Sequence, residues 1–318
     1  MDGGVGPGRT LSKGSALIVL MGTVLAVTTA PAIASTPAHS GGGHRNSVPI
    51  GNDVSYPQCG RTPPSGQAFG IVGINDGFAN ASNPCLESEL AGAVHTSTGA
   101  TSQPRASVYV NTADPGNFYN GQRIADWPAS GRTPYGRCLT TTEAGSVVGQ
   151  DSSACAWEYG YRKASQDVSW LQMYASEPPA ARAYPFWLDV ARANAAVSGV
   201  PTLARNYHWW LDVETGSIWQ ASTKLNVADL QGMVHALQRA GATNLGAYST
   251  TYQWDQITGG TTAAAAAGSL YALSGWIPGA TSLGGAERNC GQPPFTGGRV
   301  TVTQWSGGRH DSDFACRV

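Results

Sequence analysis

Short segments with alternating apolar and polar positions recur along most of the chain and predict β-strands. These segments are rich in β-branched and aromatic residues, which pack well on a pleated sheet. Between several of them, apolar residues instead recur every three or four positions, which is the spacing of one helix face. The predicted strands span residues 50–55, 69–75, 106–111, 207–214, 244–249, 270–277 and 300–305.

The clearest predicted helix has an apolar face running from Val227 to Leu237. Asn226 is its predicted N-cap and Gly241 its predicted stop. Strands that alternate with helices favour a parallel sheet with crossover helices, so the chain is predicted to be α/β. The length from residue 50 to 318 suits one TIM-like (β/α) barrel, whose eighth strand is not located, or two small domains. Further helices are predicted over 85–94, 156–175 and 185–197.

The first 49 residues differ in composition from the rest. Arg9 and Lys13 precede an apolar stretch at 16–27, and an A-x-A cleavage box follows at 32–34. The apolar stretch is about 12 residues long, whereas a membrane span needs about 20. We therefore predict a cleaved signal peptide over 1–34, rather than a retained anchor, and a secreted protein. Residues 35–49 have almost no large apolar side chains and are predicted to be a disordered leader.

Six cysteines all lie in the segment 50–318. An even number in an exported chain indicates disulfides. No C-x-x-C pair occurs and the histidines have no companion spacing, so neither a metal site nor a cofactor is predicted. Of the connectivities that six cysteines allow, we expect nearest-neighbour pairing: Cys59–Cys85, Cys138–Cys155 and Cys290–Cys316.

The charge of the chain excludes some classes of binding partner, and its aromatic content indicates another class. The formal net charge is -1 and 12% of the residues are charged, so no basic field is present to attract nucleic acid or an anionic membrane. The chain has Trp 10 and Tyr 12 in a polar background, which is typical of carbohydrate binding, because sugar faces stack on rings. The alternative is that most of these rings form core. We predict a polysaccharide partner and a monomer.

The candidate chemistry concentrates in the predicted strand 207–214. Alternation places His208, Trp210, Asp212 and Glu214 on one face. Two carboxyls on Cα atoms about 6.7 Å apart raise one pKa when they are buried together, which produces a proton donor near neutral pH. Glycosidic cleavage requires such a pair. The alternative is that the two acids only form hydrogen bonds at a strand end. His208 is a candidate for tuning Asp212.

Two other patterns are set aside. The letters of 210–213 recur at 187–190, but the residues that follow favour a helix, so Asp189 is predicted to be a solvated helix residue. A serine-nucleophile hydrolase is not supported, because no G-x-S-x-G element occurs and no histidine has an evident serine partner.

Several segments resemble those of the GH25 lysozymes, which are N-acetylmuramidases. Residues 51–58, Gly-Asn-Asp-Val-Ser-Tyr-Pro-Gln, resemble the G-x-D-V-S-x-x-Q pattern with which that barrel begins. The strand that ends in Asp212-Val213-Glu214 resembles the second signature of the family. Residues 302–305 followed by 311–314 are similar to its final strand and closing acidic motif, and 244–249 is similar to its strand ending in Tyr-Ser.

The resemblance implies specific roles at the mouth of the barrel, where barrel active sites form. Glu214 would be the proton donor, Asp212 its partner carboxylate and Asp53 a third acid. The implied substrate is a β-linked N-acetylated cell-wall glycan of the peptidoglycan type. The turn at 75–77 is a further candidate. The substrate-binding residues would be Trp210, Tyr248, Trp305, Gln304, Asp311, Asp313 and Asn111.

Two features depart from the family pattern. Residue 52 is Asn where the family usually has an apolar residue, and the segment 111–183 is longer than its counterpart in a compact muramidase. The lengthened segment could reshape or cover the cleft. An inverting, a retaining and a substrate-assisted route all stay open. The alternative function is an inactive carbohydrate-binding or cell-wall-associated protein with the same barrel.

Overall fold

Eight strands close into a barrel at the centre of the fold. The computed structural model describes residues 49–61, 65–77, 79–99, 101–176, 199–260, 268–306, 308 and 310–317. The barrel strands are β1 (Ile50–Val54), β2 (Gly70–Gly73), β3 (Ala106–Asn111), β10 (His208–Asp212), β11 (Asn244–Tyr248), β12 (Ser274–Ala280), β13 (Val300–Ser306) and β14 (Asp311–Ala315). Their order around the barrel is β1-β14-β13-β12-β11-β10-β3-β2. The predicted α/β barrel is confirmed.

The eighth strand is the one that the sequence pattern did not locate. β14 pairs antiparallel with both β1 and β13, whereas the other seven strands run parallel to one another. The strand at 300–305 is predicted from the sequence to be the last one, followed by an acidic motif. That prediction was wrong, because the acidic segment itself forms β14. The segment 270–273 was also predicted as strand, but β12 begins at Ser274.

Five helices cover the outside of the described barrel. They are α1 (Leu86–Thr96), α2 (Ser153–Ser176), α3 (Thr223–Arg239), α4 (Thr251–Thr258) and α5 (Leu283–Asn289). The N-cap of α3 is Ser222, so the prediction of Asn226 was wrong. Asn226 is buried inside the helix, where its side-chain amide donates to the carbonyl oxygens of Gln220 and Ile257. The signal peptide, the leader apart from Pro49, the predicted helix 185–197 and Asp189 lie outside the described residues.

Apolar side chains fill two layers, one on each side of the sheet. Outward-facing residues such as Trp209 and Leu211 of β10 pack against Leu230 of α3. Large side chains also fill the interior, among them Trp210, which is fully buried. A Cβ atom at Gly246 would lie 2.3 Å from the Trp210 ring, so β11 needs glycine there. Because these side chains fill the interior, the barrel is closed below its mouth.

Helices α2 and α3 cross at close range through two glycines. A Cβ atom at Gly160 would lie 2.0 Å from the carbonyl oxygen of Asp229, and one at Gly232 would lie 2.0 Å from that of Trp157. Neither position can carry a side chain unless the helices separate. This contact fixes α2, which follows β3 in the chain, against α3, which follows β10.

Between β3 and α2 the chain forms three small hairpins. Their strands are β4 (Phe118–Tyr119), β5 (Gln122–Arg123), β6 (Arg132–Thr133), β7 (Gly136–Arg137), β8 (Thr140–Glu143) and β9 (Ser146–Gly149). The Cys138–Cys155 disulfide ties this insertion to α2, and Cys59–Cys85 and Cys290–Cys316 are the other two bonds. The predicted nearest-neighbour pairing is confirmed. None of the helices in the described ranges combines the length and apolar character needed to cross a membrane.

Candidate active site

A cleft of about 240 Å³ opens at the carboxyl ends of the parallel strands. Asn111, Asp212 and Tyr248 are the last residues of three neighbouring strands, which is why they meet at this rim. Asp53 comes from the penultimate position of β1. The cleft is lined by Asp53, Ser55, Tyr56, Pro57, Gly77, Tyr109, Asn111, Asp212, Glu214, Tyr248, Trp276, Gln304 and Asp311.

Asp212 and Glu214 form an interacting pair of carboxyls. Asp212 is buried, and burial together with the charges of Glu214 and Asp53 raises its pKa well above the ordinary value. Glu214 is partly exposed, and burial raises its pKa as well, while a hydrogen bond with Gln253 opposes the shift. Because both shifts are upward, the pair holds a proton to a higher pH than ordinary carboxyls do.

Asp53 lines the cleft and is held in place by a chain of hydrogen bonds. Gln304 Nε2 donates to Asp53 Oδ2 at 2.9 Å, and the Tyr248 hydroxyl donates to Gln304 Oε1 at 2.9 Å. Burial and the charge of Asp311 raise the pKa of Asp53 to about 6, against the lowering effect of hydrogen bonds from Gln304 and Asp313. Asp53 therefore ionises at a lower pH than the deeper acids.

Asp313 lies beneath the cleft and supports Asp53. It is 0% exposed, and Trp276 Nε1 donates to its Oδ1 at 2.9 Å. Burial and the charge of Asp53 raise the pKa of Asp313 well above its ordinary value. Two carboxyls form a hydrogen bond only when one carries a proton. We assign that proton to Asp313, because the hydrogen bond between the two residues raises the pKa of Asp313 and lowers that of Asp53.

Three of the predicted substrate-binding side chains do not line the cleft. Trp210 is fully buried, one layer below Asp212, and Asp313 is buried beneath Asp53. Trp305 is partly exposed and, by strand alternation, points away from the side that Gln304 faces. The predictions for Trp210 and Asp313 were wrong because facing the barrel interior does not specify how deep a side chain lies along the barrel axis. The prediction for Trp305 was wrong because it is adjacent to Gln304, so the two side chains point to opposite sides of the strand.

His208 does not tune Asp212 directly. Its ring stacks on Trp210 at a centroid distance of 4.1 Å, in the layer below the cleft. Burial lowers the pKa of His208 to about 4, so the imidazole is neutral near pH 7. The pKa of Asp212 is raised by burial, Glu214 and Asp53 instead.

Five cleft residues were not predicted, although sequence signals for them existed: Ser55, Tyr56, Pro57, Tyr109 and Trp276. Ser55 and Tyr109 share strand faces with Asp53 and Asn111, two positions away in each case. Trp276 lies within the predicted strand 270–277, and Tyr56 lies within the segment that resembles the GH25 opening pattern. Alternation extended from each acidic or amide residue would have found Ser55 and Tyr109.

The insertion contributes little to the cleft. In the part of 111–183 that the structure describes, Asn111 lines the cleft and the hairpins from β4 to β9 do not. Among the described residues, one cluster has the ligand types and spacing for a metal, namely Cys59, Cys85 and Glu89. Its two sulfur atoms are joined in a disulfide and are therefore not thiolate ligands.

Comparison with known proteins gives a partial family match. Residues 202–273, which include Asp212, Glu214 and Tyr248, match the family model described as lysozyme-like protein 1. This match agrees with the resemblance to lysozymes drawn from the sequence. A comparison with curated protein sequences finds no match.

Solved structures of low identity also match the chain. One is the muramidase from Trichobolus zukalii, with 15% identity, coverage of 85% of this chain and 94% of that chain, and a TM-score of 0.43. The bacterial lysozyme from Streptomyces coelicolor has 14% identity, 85% and 92% coverage and a TM-score of 0.44. A family GH25 lysozyme from Aspergillus fumigatus has 10% identity, 86% and 96% coverage and a TM-score of 0.42.

Proposed function

We propose that the chain is a muramidase-like glycosidase that cleaves a β-linked N-acetylated glycan of the peptidoglycan type. The observation that carries this proposal is the meeting of Asp53, Asp212 and Glu214 at one cleft, although the first two are 159 positions apart in the chain. The match of 202–273 to a lysozyme-like family model supports the same reaction class.

Glu214 is proposed as the proton donor. It is the partly exposed member of the Asp212–Glu214 pair, so it can reach the glycosidic oxygen of a bound glycan. As the bond between the anomeric carbon and that oxygen breaks, the Glu214 proton moves to the leaving oxygen. Water then adds to the sugar, and its proton returns to the Glu214 carboxylate.

Asp212 and Asp53 are proposed to stabilise the positive charge that develops on the sugar. Asp212 is buried and Asp53 is half-buried, and in such surroundings a carboxylate acts on a nearby cation more strongly than it does in water. The positive charge that develops on the sugar favours the ionised form of Asp212. The proton held by the Asp212–Glu214 pair is therefore donated by Glu214. Tyr248 and Gln304 position Asp53, while Asn111, Trp276 and Asp311 contact the sugar.

We also propose that the mature protein is exported. The signal peptide 1–34 and leader 35–49 would be followed by one barrel domain over 50–318, and three disulfides are consistent with an oxidising compartment. The alternative, an inactive glycan-binding protein, does not require three interacting acids to line the cleft.

The test is to incubate the purified mature protein with peptidoglycan and to measure new reducing ends. We expect release by the wild type and at least a 100-fold lower rate for Glu214→Gln, the scale of a lost general acid. Asp255→Asn, a substitution in α4 at an exposed position, is the matched control. Equal background release by the wild type and Glu214→Gln would refute the enzyme and favour the binding protein.

A further inference from the structure

We infer that Asn111 accepts a hydrogen bond from the acetamido N–H of the glycan, and that Asn75 and Asp167 hold its amide in the required orientation. The identity of the ligand rests on the proposed function. The orientation of the amide rests on hydrogen-bond geometry, and neither Asn75 nor Asp167 lines the cleft.

Asn75 has one possible amide orientation. The backbone N of Asn111 lies 2.7 Å from Asn75 Oδ1, and the Asn111 carbonyl oxygen lies 3.1 Å from Asn75 Nδ2. A backbone N–H can only donate and a carbonyl oxygen can only accept. A reversed Asn75 amide would therefore lose both hydrogen bonds.

This orientation in turn fixes the Asn111 side chain. Its amide nitrogen lies 3.2 Å from Asn75 Oδ1 and 3.4 Å from the Asn75 carbonyl oxygen. Both of those atoms are acceptors, so the atom facing them must be Nδ2. Within the described ranges, no protein donor contacts Asn111 Oδ1.

The free Asn111 Oδ1 therefore serves as an acceptor at the cleft wall. Asn111 pairs with Asp212 in the register of β3 and β10, so this acceptor lies beside the candidate catalytic acids. An acetamido group on the sugar has one N–H, which can only donate. The acceptor and this donor are complementary, whereas an ester oxygen at the same place would face another acceptor.

Asp167, a residue of α2, is the last member of the chain of hydrogen bonds that begins at Asn111 and passes through Asn75. It is 2% exposed, and its Oδ1 accepts from Asn75 Nδ2 at 3.3 Å. Burial raises the pKa of Asp167 to about 8 despite the lowering effect of Lys163. Lys163 forms its own ion pair with Asp126 at 2.6 Å. The Asp167 carboxyl occupies the second N–H of Asn75, so we assign Asp167 as a positioning residue.

The probe is an N-acetylglucosamine oligomer compared with its 2-O-acetyl analogue, which has the same shape but an ester oxygen in place of the N–H. Binding is measured calorimetrically in the Glu214→Gln background, which prevents cleavage. We expect the N-acetyl ligand to bind at least tenfold more tightly, the equivalent of one hydrogen bond. Asn111→Leu should bring the two affinities to within about threefold.

Asp167 is tested by two substitutions in the same background. Asp167→Asn still presents an acceptor to Asn75 and should keep the tenfold preference. Asp167→Leu removes that acceptor and should lower the preference about threefold. A merely structural role predicts that the preference is retained, whatever happens to the stability.

The outcomes separate this inference from the proposed function. Equal weakening of both ligands by Asn111→Leu, or no binding of either ligand before that change, would overturn the inference. An unchanged preference in Asp167→Leu would remove Asp167 from it. Preferential binding that Asn111→Leu abolishes, together with a failed reducing-end assay, would support the inference and refute the glycosidase.

Discussion

The protonated state assigned to Asp313 predicts an unusual effect of Asp313→Asn on stability. An asparagine can accept from Trp276 Nε1 and donate to Asp53, as the protonated carboxyl does. The substitution therefore keeps the hydrogen bonds of this fully buried site and removes its ability to ionise.

The magnitude follows from the linkage between protonation and folding. The pKa of Asp313 is raised above its unfolded value of 3.8, so above that pH the unfolded chain binds fewer protons than the folded one. Stability is therefore lost as the pH rises from the unfolded pKa toward the folded pKa, by about 1.4 kcal/mol per pH unit. From about pH 4 upward the wild type should therefore lose stability steadily relative to Asp313→Asn, until the pH reaches the folded pKa of Asp313.

The assay is urea unfolding of both proteins at several pH values in this window. Other buried acids affect both curves and largely cancel in the difference. Asp255→Asn, in an exposed position, is the control and should not reproduce the widening gap. A difference that stays constant with pH, or a large loss of stability in Asp313→Asn at every pH, would show that Asp313 is ionised in the folded protein.

Three further predictions test the packing, the electrostatics and the cross-links. Gly232→Ala should destabilise the protein by about 3 kcal/mol, because its Cβ would lie 2.0 Å from the Trp157 carbonyl oxygen. Gly216→Ala is the control, since a Cβ there meets nothing within 4 Å. Calorimetric melting should show a lower unfolding temperature for the first variant only. Asp53→Asn removes a charge that raises the pKa of Asp212, so the basic limb of kcat/KM against pH should move to lower pH; an unmoved limb would contradict the coupling. Removing Cys290–Cys316, with a sequence separation of 26, should cost about 3 kcal/mol in urea unfolding, and an unchanged midpoint would contradict that value.

Alternation predicted the barrel and its central acidic strand well. His208, Trp210 and Asp212 face the interior as predicted, because outward-facing Trp209 and Leu211 pack under the helices. Alternation reports the face of a strand but not the depth along the barrel axis. Trp210 was consequently placed in the cleft, although it lies one layer below it.

The sequence pattern did not locate the eighth strand because polar side chains occupy the positions that face the barrel interior. β14 directs Asp311 and Asp313 toward the interior side, where a sequence pattern normally has apolar residues. Asp313 accepts a hydrogen bond from Trp276, which is distant in sequence, and Asp311 lies close enough to Asp53 to raise its pKa. Likewise, the Asn75–Asn111–Asp167 contacts join β3 and α2 through tertiary packing, which has no local signature.

A cycle of kcat/KM on peptidoglycan for wild type, Asp53→Asn, Glu214→Gln and the double variant tests most directly whether these acids act together. If they form one catalytic set, the double variant should be about as slow as Glu214→Gln, far from the product of the two separate losses. Losses that multiply, or an Asp53→Asn variant as fast as the wild type, would mean that the acids do not work as a unit.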